Sequence, residues 1–190
     1  MRFNDRTKYL VIDEVLEQDI LIENVKKALD NGIELVQYNS NKVTRDMIKE
    51  ASSIKSLCAK YKAVFLVKNR IDVAMAINAD GVHLDYNDMS ILDVKNLIGN
   101  NKIIGFSVKN ENDLFLAREE RIDYITLSED FDYSLSGKEV FNGNIYGDYN
   151  IIKNGDITDL EKSITGVYLK LDDLSYTDIN AYMNDFLKIS

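Results

Sequence analysis

The sequence predicts an α/β protein built as a single (β/α)8 TIM-type barrel spanning residues 1–190. In such a barrel eight parallel strands close into a ring sheathed by helices. Three observations carry this expectation. Short strand-like runs and helical patterns alternate almost from end to end of the chain. The runs are rich in Val, Ile, Leu and Tyr, as strands buried on both faces must be. The turn after the first run, VIDEVLEQD, lacks the glycines that the runner-up, an open doubly wound sheet, would want there.

Taken in order, the runs are KYLVID (8–13), ELVQY (34–38), AVFLV (63–67), GVHLD (81–85), KIIGFSV (102–108), DYITLS (123–128), YNIIK (149–153) and GVYLKL (166–171). Between the first two, Leu21, Ile22, Val25, Ala28 and Leu29 share one face at helical spacing. Thr44 is placed to cap a second helix with Ile48, Ala51 and Cys58 inward. Ser90, with Asp93 three residues on, opens the helix ILDVKNLI. Ile179, Tyr182, Met183, Phe186 and Leu187 make an amphipathic C-terminal helix. At DNG-IELV and IG-NNKIIGF a glycine separates helix from strand, where a left-handed residue closes the helix. After the sixth run, GKEVFNGNIYGDY is too short and Gly-rich for a full helix, so helix six is expected to be short or missing. No linker, low-complexity stretch or second domain is expected from the pattern.

Composition narrows the function classes. A net charge of −9 repels a phosphate backbone, so nucleic acid is disfavoured as a partner. No apolar run is long enough to span a membrane, and MRFNDRTKYLVID lacks the apolar stretch of a secretory signal. The lone Cys58 has no internal disulfide partner and reads as a small core residue. A cytoplasmic location is the expectation. Proline is absent, so Gly, Asn and Asp must close the turns.

In a parallel barrel the strands' carboxyl ends build the site. The chain places there Gln37, Tyr38, Asn39 and Lys42; Lys68, Asn69 and Arg70; His83, Asp85, Tyr86 and Asp88; Ser107 and Lys109; Ser128, Glu129 and Asp130; Lys153, Asn154, Gly155 and Asp156; and Lys170, Asp172 and Asp173. Alternation sets His83 and Asp85 on one side of their strand and Val82 and Leu84 on the other. His83 then faces ligand in the lumen, or is a hydrogen-bonded core histidine beneath the mouth. Asp85 and Asp88 are oxygen donors suited to Mg²⁺, or a solvated turn.

These residues carry a resemblance. NRIDVAMAINADGVHL, then Asp88, then IIGFSV with Ser107, then IDYI at 122–125, resembles the thiamine-phosphate synthase family and its TenI-type thiazole tautomerase relatives. KYLVID and ELVQ join the match, which runs from about residue 8 to 128 and continues more weakly beyond. The resemblance implies a barrel enzyme of thiamine biosynthesis, a transferase. There a hydroxymethylpyrimidine diphosphate ionises at its methylene carbon and a thiazole phosphate nitrogen captures it. Mg²⁺ and cationic side chains stabilise the departing diphosphate.

Carried over by position, the resemblance implies catalytic roles for His83 and Ser107, ligand binding by Gln37, and metal binding by Asp88. Lys109 stands where the tautomerase branch has a histidine, and is either a proton carrier or a solvent-facing lysine. Other ligand-binding candidates are Asn39, Lys42, Lys68, Asn69, Tyr86, Lys138 and Gly155. The family's Arg-x-Lys after strand two is replaced by Asn39 and Asn41, with Lys42 one residue out of register. Its Asn-Asp pair before Arg70 reads Lys68-Asn69, which removes one metal carboxylate and weakens the case for Mg²⁺. GVHLGQ has become GVHLDY, and its glycine-rich phosphate loops read NGDI and LDDL. Cations and glycines are lost and acids gained, so phosphate binding is expected to be weak: a fixed negative charge about 4–5 Å from a phosphate, at an effective dielectric near 20, costs several kcal/mol.

Three functions follow as expectations. The chain is a synthase or tautomerase acting on a thiamine precursor, or a re-purposed barrel binding a neutral or cationic small molecule, or an interaction protein with a degenerate active site. The partner expected is a small thiamine precursor, and a homodimer is left open.

Overall fold

The structure, a computed structural model, describes residues 7–13, 16–127, 131, 141, 144–148 and 166–171. Its strands are β1 (Lys8–Ile12), β2 (Leu35–Tyr38), β3 (Val64–Lys68), β4 (Gly81–Leu84), β5 (Ile103–Val108), β6 (Tyr124–Leu127), β7 (Asn144–Asp148) and β8 (Gly166–Lys170). Each pairs in parallel with its chain neighbours, and β8 returns to β1, so the sheet closes into a barrel in the order β1 to β8. The open-sheet alternative is thereby excluded.

Strict alternation sorts the strand side chains into two layers. Leu10, Ile12, Val36, Phe65, Val67, Val82 and Leu84 are buried in the cluster outside the barrel wall, which α1 (Gln18–Asp30) and α2 (Thr44–Tyr61) help cover. Tyr9, Val11, Leu35, Val64, Leu66, Tyr124 and Tyr146 form a separate cluster inside the ring. The lumen is thus a packed core, with three tyrosines in face-to-edge contact at centroid distances of 5.3, 5.5 and 5.8 Å. Gly105 makes room for them. A Cβ there would stand 2.1 Å from the Cζ of Tyr124.

α1 buries Leu21, Val25, Ala28 and Leu29, and α2 buries Met47, Ala51, Ile54 and Cys58. α4 (Ile91–Ile98) starts as expected: the Ser90 hydroxyl accepts from the Asp93 N–H at 3.1 Å. Gly32 and Gly99 both take positive φ, 84° and 82°, at their helix–strand junctions.

Four expectations need revision or fall elsewhere. Thr44 does not cap α2. The cap position is Val43, with no side-chain cap bond, and the Thr44 hydroxyl accepts from Arg70 Nη2 at 2.9 Å. Strand β7 lies at Asn144–Asp148, ahead of the YNIIK run expected at 149–153. NIYGD is a poor strand by propensity, but its register puts Tyr146 beside Thr126 and Gly166, where the ring fills the lumen. Packing inside the ring outweighs the local preference. Two helices went unnamed: α3 (Ile71–Ala76), too short to show a period, and α5 (Glu111–Glu119), which buries only Ala117 and leaves Phe115 exposed. The expected C-terminal helix and the shortened sixth helix lie outside the described residues. No helix among the described residues is long and apolar enough to cross a membrane.

Candidate functional site

The carboxyl ends of the strands surround a cavity of about 450 Å³. Gln37, Lys68, Asn69, His83, Asp85, Tyr86, Asp88, Ser107, Lys109 and Lys170 all line it, so most of the described residues nominated from strand ends meet in one place. They meet because every inward position on a parallel strand of common register points to the same axis.

A chain of hydrogen bonds crosses the cavity floor. The Tyr9 hydroxyl donates to Gln37 Oε1 and lies 3.2 Å from the Tyr124 hydroxyl. The Tyr124 hydroxyl lies 2.9 Å from His83 Nδ1, and His83 Nε2 lies 2.8 Å from Ser107 Oγ. Thr126 closes the group, its hydroxyl 3.4 Å from that of Ser107. His83 is 2% exposed, so the imidazole is buried yet satisfied at both nitrogens. Burial, and then the nearby Lys68 ammonium, push its pKa well below the ordinary value, so it stays neutral. Burial likewise raises the pKa of Tyr9 and Tyr124, which remain hydroxyls. The two readings of His83 therefore merge: it is a hydrogen-bonded core residue whose far neighbour, Ser107, lines the cavity.

The rim is ionic. Lys68 Nζ lies 2.9 Å from Asp85 Oδ2, and Asn69 Nδ2 donates to the same oxygen at 3.2 Å. The Asp85 N–H donates to Asp88 Oδ2 at 2.7 Å and to Asn69 Oδ1 at 3.2 Å. Asn69 holds this geometry from a left-handed backbone, φ 59°. Burial opposes the charge on Asp85, but bonds from Lys68 and Ser107, and then Asn69, keep its carboxyl below its ordinary pKa. Asp88 goes the other way, raised chiefly by burial. Opposite, Lys109 Nζ sits 4.3 Å over the Tyr86 ring centroid and 3.2 Å from its hydroxyl.

Four nominated residues are not in the cavity wall: Tyr38, whose hydroxyl donates to Glu50, Arg70, which pairs with Asp72, and also Lys42 and Asn39. Lys42 pairs with Glu50 and reaches the Leu16 carbonyl at 3.5 Å, in a separate groove between α1 and α2. Glu50 is only 4% exposed, and a carboxylate so buried requires a nearby cation. That need, with a 2.7 Å bond from the Tyr38 hydroxyl, fixes the acid beside Lys42. Asn39 uses its N–H on the Ile12 carbonyl at 2.8 Å and does not line the cavity. Lys138 and Gly155 lie outside the described residues, as do Ser128, Glu129, Asp130, Lys153, Asn154, Asp156, Asp172 and Asp173. Tyr9, Asp13, Thr126 and Tyr168 line the cavity without having been nominated. Period-two alternation from Val11, from Tyr124 and from Lys170 would have found them.

Mg²⁺ needs several converging oxygen donors. Among the described residues no three His, Cys, Asp or Glu side chains converge as a metal centre. Asp85 and Asp88 are adjacent, but each already has one carboxylate oxygen engaged, and the Lys68 ammonium is in contact with Asp85. A divalent ion about 4 Å from an ammonium meets roughly 8 kcal/mol of repulsion at an effective dielectric near 20, less whatever solvent screens. The described residues do not fit a resident divalent ion.

Comparison with known proteins agrees with this architecture. A family model described as "Thiamine monophosphate synthase" matches residues 8–133. The thiamine-phosphate synthase of Methanosarcina barkeri (strain Fusaro / DSM 804) is 42% identical over 125 residues, 65% of this chain and 56% of that protein. The thiamine-phosphate synthase of Persephonella marina (strain DSM 14350 / EX-H1) is 36% identical over 141 residues, 73% of this chain and 68% of that protein. The matched stretch thus spans a little over half of the first relative. Among solved structures, thiamine phosphate pyrophosphorylase from Pyrococcus furiosus superposes with a TM-score of 0.78 at 25% identity, covering 98% of this chain and 96% of that one. A 3-hexulose-6-phosphate synthase, at TM-score 0.63 and 11% identity over 96% of this chain and 99% of that one, shares the fold alone. With strands β1 to β6 inside the matched region, and the barrel they open closing through β8, the chain belongs to the thiamine monophosphate synthase family.

Proposed function

We propose that the protein serves thiamine biosynthesis and that its central cavity binds a thiamine precursor. The observation that carries this reading is the floor network. Gln37, His83 and Ser107, the positions that the family resemblance marks, are joined through Tyr9 and Tyr124 at the base of one cavity. Neutral hydroxyl, imidazole and amide groups over tyrosine rings suit a flat heterocycle that both donates and accepts hydrogen bonds. A pyrimidine or thiazole has that character.

The reaction suggested by family membership is the coupling of hydroxymethylpyrimidine diphosphate to thiazole phosphate, giving thiamine phosphate and diphosphate. A second reading, a re-purposed barrel that binds the precursor without coupling it, is favoured by the rim. Lys42 is drawn away to Glu50, and Lys68 is paired with Asp85. Incubation with both substrates and Mg²⁺, followed by chromatography for thiamine phosphate, separates the two. Calorimetry with the unphosphorylated pyrimidine and thiazole, and with their phosphates, tests binding itself. The expected result is micromolar binding of an unphosphorylated heterocycle, weaker binding of the phosphates, and loss of binding in Ser107→Ala. An absence of affinity for every precursor overturns the reading.

A further inference from the structure

Two substitutions that read as separate departures in the sequence, Lys68 and Asp85, are partners in space. Their charged atoms are 2.9 Å apart across the β3–β4 edge, where Lys68 and His83 share a register. Both side chains stay partly open to the cavity, 23% and 29% exposed. Asn69 and Asp88 complete the ring around them through bonds to the Asp85 carboxylate and backbone N–H. The ammonium therefore sits against one of the two loop carboxylates, the position from which a metal ion would draw its charge.

We propose that the Lys68–Asp85 ion pair replaces a metal centre. It closes this side of the cavity to divalent cations and to the diphosphate group that such a cation would carry, and so selects uncharged ligands. The physical case is a charge sum. Lys68 and Asp85 cancel, and among the described lining residues Lys109 and Lys170 are matched by Asp13 and Asp88, so the wall has no surplus positive charge to offer a diphosphate. A divalent ion arriving there meets a fixed ammonium, and the oxygen that it needs from Asp85 already serves two donors. Lys68 and Asp85 are specificity-determining residues in this account. The ligand class rests on the precursor-binding reading above, whereas the exclusion of metal and diphosphate does not.

The test uses Mn²⁺ alone, followed by electron paramagnetic resonance, and inorganic diphosphate, followed by calorimetry with and without Mg²⁺. Neither probe depends on a thiamine precursor, so a failure here is distinct from a failure of the proposed function. The unaltered protein is expected to bind neither ion at millimolar concentration. Lys68→Asn frees Asp85 and should bind Mn²⁺ at least about tenfold more tightly, and Asp85→Asn added to it should abolish the gain. Circular dichroism and thermal melting verify that each variant is folded. Should Lys68→Asn misfold, Lys68→Gln serves the same purpose. Submillimolar Mn²⁺ binding by the unaltered protein that disappears in Asp88→Ala overturns the proposal. So does diphosphate binding, or a folded Lys68 variant with no gain in Mn²⁺ affinity.

Discussion

The Tyr124 hydroxyl lies 2.9 Å from Nδ1 of His83, so the imidazole tautomer is coupled to the direction of the Tyr9–Tyr124 hydrogen bond. Gln37 Oε1 can only accept, so Tyr9 donates to it. The Tyr9 oxygen is then free to accept from Tyr124, which leaves the Tyr124 oxygen to accept from His83 Nδ1–H. Nε2 then keeps a lone pair and competes with the Asp85 carboxylate for the Ser107 proton.

Because His83 is the only histidine in the chain, its tautomer can be read without assignment. ¹⁵N NMR of labelled histidine should show a neutral ring protonated at Nδ1. Tyr124→Phe removes the acceptor and should shift the population toward the Nε2–H form. An Nε2–H ring in the unaltered protein would mean that the Ser107 proton is claimed by Asp85 instead.

The same burial gives stability a pH dependence. The folded pKa of His83 is below the ordinary value near 6.5 of an unfolded chain. Between the two values the unfolded state binds more protons, so stability rises with pH. The contribution is complete above about pH 6.5 and is lost as pH falls through the folded value, at up to about 1.4 kcal/mol per pH unit. Urea denaturation from pH 5 to 7 should show that slope, and His83→Gln should flatten it. An unchanged slope in the variant would assign the titration to another group.

Gly105 has no room for a methyl group. An added Cβ would come within 2.1 Å of Tyr124 Cζ and 2.4 Å of its hydroxyl oxygen. Gly105→Ala should destabilise by about 3 kcal/mol, at the upper end for an overpacked core. It should also move the His83 resonance, since the displaced ring is its partner. Tyr124→Leu in the same chain should recover part of the loss. A denaturation midpoint equal to that of the unaltered protein would show that the lumen yields.

Away from the cavity, Lys42→Met leaves Glu50 without its cation. Breaking a buried pair costs about 3–5 kcal/mol. The expected loss is nearer about 2–3 kcal/mol, because Lys42 keeps 26% of its side chain in solvent. The double variant Lys42→Met with Glu50→Gln should return to within about 1 kcal/mol of the starting stability. Equal losses in the single and double variants, measured by chemical denaturation, would mean that the pair is not the source.

Much of the barrel was legible because its governing rules are local. Near-continuous apolar runs such as KYLVI and VFLVK have to be strands covered on both sides, and alternation alone put His83 and Asp85 on one face. Ser90 with Asp93 announced its helix through a bond that spans only three residues. Strand β7 escaped because NIYGD carries no such local sign. Tyr146 earns its place by meeting Tyr9 and Tyr124, far away along the chain.

By itself, then, the sequence determined the closed parallel ring, its family, and most of the described polar side chains delivered to one mouth. Tertiary structure alone decided how their charges and protons are shared: Lys42 goes to Glu50, Lys68 goes to Asp85, and His83 lies between Tyr124 and Ser107. Periodicity follows from bond geometry within a few residues. Pairing depends on which groups burial forces together from strands far apart in sequence, and no short window of the chain records that.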